Sequence, residues 1–265
     1  DWIYEFSSDQ ARRIRSYPNI ELAYGPTLRV RFLELDASGV AGVAALKDKR
    51  VRQAIAHAVN ADKIRETLTE PATAPIDAVC YPTQFGCQKP SVTYKYDPAL
   101  AKKLLAEAGY PNGFTADFYS NRNRTWTEAM AADLNAVGIK TNIKVLDYVM
   151  LVGKRRAGET PIIDMSWGSN SINDSSAVLD VFFGKSANYL SKDEHLAEQL
   201  DLARQTRDPA KRREFYKAAI DSIAENVYAV PLFAQSAPYA YNSKLKFEPF
   251  TDAIPRFYKS AWKDQ

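Results

Sequence analysis

Two histidines, His57 and His195, and two cysteines, Cys80 and Cys87, make up most of the side chains with distinctive reactivity. Nucleophilic catalysis needs a base held against a serine or cysteine. His57 falls beside Ala54 and Ala58 on an apolar helical stripe and reads as a helix-boundary residue, while His195 lies in a charged run and reads as solvated. The sequence has no Gly-x-Ser-x-Gly elbow, no Gly-x-Gly-x-x-Gly and no P-loop, so covalent hydrolysis and phosphate cradling lose their usual anchors. No catalytic residue, cofactor or metal site is assigned. Carboxylates are plentiful but no pair stands out, which keeps a carboxylate-based hydrolase on an α/β scaffold as the alternative to a binding role.

Cys80 and Cys87 enclose Tyr-Pro-Thr-Gln-Phe-Gly, a segment dense in turn formers. This spacing suits a local disulfide or a pair of buried thiols, and it is poor zinc spacing without further ligands. A bridge would place the chain in an oxidising compartment.

Groups suited to binding collect at two predicted strand ends. Phe118-Tyr119-Ser120 runs into Asn121-Arg122-Asn123-Arg124, and Trp167 runs into Gly168-Ser169-Asn170-Ser171-Ile172-Asn173-Asp174. In α/β proteins ligands settle at such edges, where an aromatic wall supplies apolar contact and amide, hydroxyl or guanidinium groups set orientation. The same residues could also simply end strands, with Trp167 in the core.

The elements that position these loops alternate between helix and strand. Val51, Ala54, Ile55, Ala58 and Val59 form one helical stripe over Arg50 to Val59, and Asn60 caps a helix running to about Leu68. Prolines 71, 75, 82 and 90 mark a long irregular excursion that the cysteine pair would staple. Asp97-Pro98 opens a helix that Gly109 and Pro111 stop. Phe114 to Ser120 reads as a strand, Thr125-x-x-Glu128 as a capping box for a helix ending at Gly138, and Ile139 to Leu146 as a strand, giving a βαβ-like unit. Asp147 caps a short helix, Ile162 to Trp167 is a buried-type strand, Ser191-x-x-Glu194 and Asp208-Pro209 open two helices, and Val227 to Ala234 returns as a strand. The flanks carry strand-like runs such as Leu28 to Leu35 with too little local helix to cover them, as if their sheet partners lay elsewhere. No internal repeat appears.

Composition sets the bounds. With 35 Lys+Arg against 32 Asp+Glu, the charge is too balanced for a nucleic-acid footprint. No apolar run approaches the roughly 20 residues that cross a bilayer. Asp1-Trp2-Ile3-Tyr4-Glu5 lacks the basic and apolar blocks of a signal peptide, as in a cytosolic or an already trimmed chain.

Arg50-Val51-Arg52-Gln53-Ala54-Ile55 with Ala58-Val59-Asn60, Tyr96-Asp97-Pro98, and Leu104-Leu105-Ala106-Glu107-Ala108-Gly109-Tyr110-Pro111-Asn112-Gly113-Phe114 together resemble the family 5 solute-binding proteins of ABC importers. Leu134 to Ile139 and Asp208 to Arg212 are similar to later elements of that family, whose members serve peptide, nickel and opine import. The resemblance implies an α/β fold of the periplasmic binding protein-like type II, here its C-terminal lobe, a mixed sheet flanked by helices. It assigns residues 1–45 to the hinge and a remnant of the N-terminal lobe, 46–235 to the C-terminal ligand-binding lobe, and 236–265 to the return towards the N-terminal lobe. The implied protein is a monomer in the periplasm that binds a small molecule or short peptide, peptide-like or opine-like, and delivers it to an inner-membrane permease, with no nucleic-acid partner.

By the same resemblance the ligand contacts are Trp167, Gly168, Ser169 and Asn170, with Asn121 and Arg122 near the place where some members hold an arginine for the ligand's carboxylate. Peptide-binding members carry Trp-x-Ala-Asp where this sequence has Trp167-Gly168-Ser169-Asn170. Asn170 supplies no full negative charge, and burying an ammonium without a counter-charge costs several kcal/mol.

Overall fold

The computed structural model describes residues 2–4, 6, 8–121, 124–185 and 190–263. In chain order it holds β1 (Trp2–Tyr4), α1 (Ser8–Ile14), β2 (Ile20–Leu35), α2 (Lys49–Ala58), α3 (Ala61–Leu68), β3 (Ala74–Pro75), α4 (Pro98–Glu107), β4 (Phe114–Ser120), α5 (Arg124–Ala136), β5 (Ile139–Val145), α6 (Tyr148–Arg156), β6 (Ile162–Gly168), α7 (Ser176–Phe183), α8 (Glu194–Gln205), α9 (Pro209–Asn226), β7 (Ala229–Asn242), β8 (Leu245–Lys246) and β9 (Ala261–Trp262).

Local chemistry explains most of the boundaries. Asn60, Asp97, Asp147 and Asp208 each accept a backbone N–H from the first turn of the helix that follows, and Pro98 and Pro209 occupy first-turn positions where no N–H is needed. Two expected capping boxes do not form. The helix over 124–136 already includes Thr125, and Glu128 takes the Arg124 guanidinium at 2.6 Å across one turn. At the other, Asp193 rather than Ser191 caps α8 by accepting from Leu196 N at 3.0 Å. Val227 is the left-handed residue that ends α9, at φ 50°, so the returning strand starts at Ala229. At Gly113 (φ +72°) a Cβ would lie 1.8 Å from the Gly138 carbonyl, so the start of β4 against the turn into β5 tolerates no side chain.

The sheet runs β1-β7-β2-β6-β4-β5, with β3 also on β7. β4 lies parallel to both β5 and β6, whereas β6-β2-β7-β1 is antiparallel. The strand expected at Leu28 to Leu35 is not orphaned: β2 spans Ile20–Leu35 and pairs with β6 on one side and β7 on the other. β7 likewise continues through the expected tail to Asn242.

Alternation along the strands builds a core on each face of the sheet. Leu33, Leu35, Phe118 and Ile162 pack with α2, α3, α4 and α5, while Phe32, Val30, Tyr119 and Ile163 pack with α6, α7, α8 and α9. Each helix is held by its apolar stripe. Fully burying one such side chain stabilises by roughly 1.5–3 kcal/mol, and truncating Phe118, with no exposed surface, to Ala would cost about 3–5 kcal/mol.

Two ion pairs lie inside this core. Arg31 on β2 pairs with Asp164 on β6, which also accepts from Thr127 Oγ1 at 3.0 Å, while Glu34 pairs with Arg155 from α6. Burial outweighs the Arg155 charge and raises the Glu34 carboxyl above its ordinary value. Among the described residues no helix is long and apolar enough to cross a membrane.

Candidate functional site

β6 leads into the polar loop, and the structure shows why that loop holds its shape. Ser169 N donates to Leu28 O at 2.9 Å, tying the loop's first turn to β2, and Asn170 follows in a left-handed conformation at φ 49° that asparagine tolerates better than most residues. The segment closed by the Cys80–Cys87 disulfide lies alongside. Phe85 N donates to Asn173 O at 3.1 Å, Ser175 N donates to Phe85 O at 3.0 Å, and Gln84 Nε2 donates to Ile172 O at 2.9 Å. Gln84 Oε1 in turn accepts Tyr81 N at 3.0 Å, so one carboxamide joins both segments.

Asp174 anchors the far end of the loop. Its carboxylate accepts from Tyr216 Oη at 2.7 Å, from an Arg212 Nη at 2.9 Å and from Ser176 N at 3.0 Å. Burial opposes ionisation of Asp174, but these donors together hold its carboxyl below the usual range; burial and the same carboxylate push the Tyr216 phenol up to about 12. At Gly86 (φ +82°) a Cβ would stand 2.2 Å from the Tyr216 ring, so the disulfide-closed segment reaches α9 only with glycine there. The bridge expected to staple its own irregular excursion therefore also braces the candidate loop.

Beside the loop the β2–β7 ladder opens. The register passes from Pro26↔Ser236 to Val30↔Ala234, so β2 spends three residues where β7 spends one. Thr27 Oγ1 donates to Gln235 O at 2.6 Å across the gap. Bulges of this kind re-aim side chains next to binding sites. Here a cavity of about 350 Å³ opens, lined by Thr27, Arg29, Gly168, Asn170, Gln235 and Asp252 among others. A second cavity of about 370 Å³ adjoins it, shares Leu28 and Asp252, and is walled by Ser171, Asn173, Phe250, Arg256 and Lys259. Both fall in the size range of small-molecule sites.

The segment after β8 forms the opposite wall. Asp252 accepts two hydrogen bonds from Arg256, Nη1 at 2.8 Å and Nη2 at 2.5 Å, one from Ile254 N at 3.1 Å and one from Ser171 Oγ at 2.9 Å. The Arg256 hydrogen bonds, with help from Ile254 N and Ser171, hold its carboxyl well below the usual carboxylate range despite partial burial. Ser171 thus links the polar loop to this tail.

The expected site residues divide. Gly168 and Asn170 line the first cavity, and Gly168 matters for its missing side chain, since a Cβ would sit 2.8 Å from an Arg29 Nη. Ser169 is buried and pins the loop through its backbone. Trp167 faces the core: its indole N–H donates to Ala177 O, and its ring meets the Phe182 ring edge-on at 5.5 Å. Asn121 sits just past β4, whose last residue Ser120 is level with Asp164 in parallel register, so Asn121 falls about level with Met165, three residues and about 10 Å short of Gly168 along the sheet. Arg122 lies outside the described residues. His57 Nδ1 lies 2.7 Å from Lys95 O and His195 is exposed, neither of them at the cavities.

Sequence reasoning missed Thr27, Arg29, Gln235, Ser236, Asp252, Arg256 and Lys259, because all fall in or beside flanks it assigned elsewhere. Asp252 and Arg256, four residues apart beside Phe250, were the one local signal. Asp252 is the one carboxylate among the described lining residues, and no group of three or more His, Cys, Asp or Glu among the described residues could hold a metal ion.

Comparison with known proteins places the architecture. Residues 1–189 match the family described as bacterial extracellular solute-binding proteins, family 5 Middle. The glutathione-binding protein GsiB of Escherichia coli K12 is 26% identical over an alignment covering 89% of this chain and 48% of that protein. The chain spans about half the length of the curated relatives it matches. Among solved structures, the periplasmic binding protein DppA of Helicobacter pylori in complex with the peptide STSA superposes with a TM-score of 0.85 at 23% identity, covering 99% of this chain and 52% of that one. MoaA of A. tumefaciens R10 in complex with mannopinic acid gives 0.80 at 24% identity, covering 95% and 52%. The fold is that of the type II periplasmic binding proteins, and the chain belongs to the bacterial extracellular solute-binding proteins, family 5.

Proposed function

We propose that the protein carrying this chain is the extracytoplasmic solute-binding component of an ABC importer, and that this chain supplies one wall of its binding cleft. The observation that carries the reading is the pair of adjoining cavities at the end of β6, walled by hydroxyl, amide and charged groups and bordered by a loop fixed in place before any ligand arrives. A pre-formed wall lowers the ordering cost of binding. Family membership supports the same reading. GsiB is named for glutathione, and the solved neighbours hold a peptide and an opine acid, so a small polar solute, peptide-like or opine-like, is the class proposed.

The protein is a periplasmic monomer that hands its solute to an inner-membrane permease, with no nucleic-acid partner. The Cys80–Cys87 disulfide supports an oxidising compartment. In this reading residues 1–45 and 236–265 carry the hinge side and lead towards a second lobe, while 46–235 hold most of the ligand-binding lobe. An apolar groove along Trp2, Ile3, Ile14, Tyr17 and Ile20 supports cover at that edge.

Hydrolysis by a carboxylate pair is not proposed, since the cavity lining described above offers Asp252 alone. Small-angle scattering of the full-length protein with and without a panel of peptides, opines and sugars tests the proposal. A solute that binds and contracts the particle is the expected result. Turnover of any panel member, with no contraction by any, would reject it.

A further inference from the structure

Four charged side chains occur among the described residues lining the two cavities: Arg29, Asp252, Arg256 and Lys259. The carboxylate is the group to which a ligand ammonium would ordinarily be assigned. A carboxylate offers about four lone-pair sites. Asp252 already receives four donors, two from Arg256 and one each from Ile254 N and Ser171 Oγ. An incoming ammonium would have to displace one of them, and most directly the charge-assisted pair with Arg256.

Asp252 and Arg256 neutralise each other, which leaves Lys259 as the further cation of the second cavity's described lining. Asn170, exposed at the first cavity, adds an amide and no charge. Lys259 is exposed in the second cavity, and its Nζ lies 5.5 Å from the centre of the Phe250 ring, a contact that steadies the side chain without consuming its hydrogen bonds. Gln235 supplies a second kind of demand. Gln235 lines the first cavity, and its Oε1 is buried with no hydrogen-bond partner among the described residues, so the carboxamide gains a donor when the side chain turns towards the cavity.

Resting on the reading of this cleft as a solute site, we infer that its solute is an organic acid of net negative charge bearing hydroxyl or amide N–H donors, with Lys259 meeting its carboxylate and Gln235 Oε1 accepting from one of its donors. The two cavities share Leu28 and Asp252, and in this reading one solute spans them. The Asp252–Arg256 pair then acts as a positioning element that fixes the tail and, through Ser171, the loop.

The test is calorimetric titration of the full-length protein with glutathione and mannopinic acid, with the same two compounds after amidation of their carboxylates, and with trialanine amide as a cation. The acids are expected to bind about tenfold more tightly than their amidated forms. Lys259→Gln should weaken acid binding about fivefold, leave the amidated forms within about twofold and flatten the salt dependence, while Lys259→Arg retains affinity. Equal or tighter binding of the amidated or cationic probes, or a Lys259→Gln effect equal on acid and amide, would overturn the inference and leave solute binding standing. Silence towards every probe, together with no binding of any solute in the wider panel, would remove the solute-binding reading itself.

Discussion

The two walls of the cleft are held in different ways. The loop following β6 is fastened to β2 through Ser169, to the disulfide-closed segment through Phe85 and Gln84, and to α9 through Asp174 with Arg212 and Tyr216. Among the described residues the tail around Asp252 reaches that loop through the Ser171 side-chain hydrogen bond, is folded on itself by Arg256 and Ile254, and rests on β1 through the Phe257 ring, 5.1 Å from that of Trp2. One wall is fixed by the body of the domain and the other is latched to it. A clamp that recognises and later releases a solute gains from this division, because elements that move are drawn from the less stable parts of a fold.

The comparison breaks most severely at the disulfide. Replacing both Cys80 and Cys87 by Ala should lower unfolding free energy by about 2–3 kcal/mol, the cost of releasing so short a closure. Amide exchange should rise in the 169–175 loop as well as in 80–87, and a rise confined to 80–87 would show that the brace is not shared. Next comes Asp174→Ala, which removes the acceptor of the Tyr216 hydroxyl and the counter-charge of Arg212, leaving Arg212 bonded to Ala203 O and Tyr216 Oη, and should cost about 2–3 kcal/mol, against about 1 kcal/mol for Tyr216→Phe. Equal costs would mean that Asp174 acts through the phenol alone.

The smallest global effect is expected at the tail. Asp252→Asn should change overall stability by less than about 0.5 kcal/mol while raising amide exchange around residues 250–259. Its pH dependence has a definite sign. Because the folded carboxyl lies below its unfolded value, the latch is fully present above the ordinary Asp range near 3.9 and is lost only as pH falls towards the depressed folded value. Tail protection, corrected for intrinsic exchange, should therefore be flat from pH 7 to pH 5. A transition within that window would assign the latch to another group.

The caps at Asn60, Asp97, Asp147 and Asp208 were legible in the sequence because each is set by contacts within a few residues, and strands β4, β5 and β6 because each is a strand-like run bounded by turn or cap residues. Where two cap candidates stood close together, as Ser191 and Asp193 do, sequence alone favoured the wrong one, since Asp193 is also held by Tyr228 Oη at 2.9 Å and Ser222 Oγ at 3.0 Å from elsewhere in the chain. The flanks misled for a related reason. Leu28 to Leu35 finds partners more than 100 residues away on β6 and β7, and no local pattern announces such pairing. The bulge at residues 27–29 and the buried Arg31–Asp164 pair are likewise products of register. So the sequence pointed to the loop after Trp167, of which Gly168 and Asn170 line the first cavity, but not to the side chains that line it from β2, β7 and the tail. Trp167 itself is partly buried, with its ring packed edge-on against Phe182 of the core.

Hydrogen exchange on the full-length protein, with and without a solute that titration shows to bind, tests the central claim that this cleft is the site. The account predicts new protection in three separate stretches at once: 168–173, 235–238 and 250–259. Protection confined to other surfaces of the chain, with these three stretches unchanged at saturation, would contradict it.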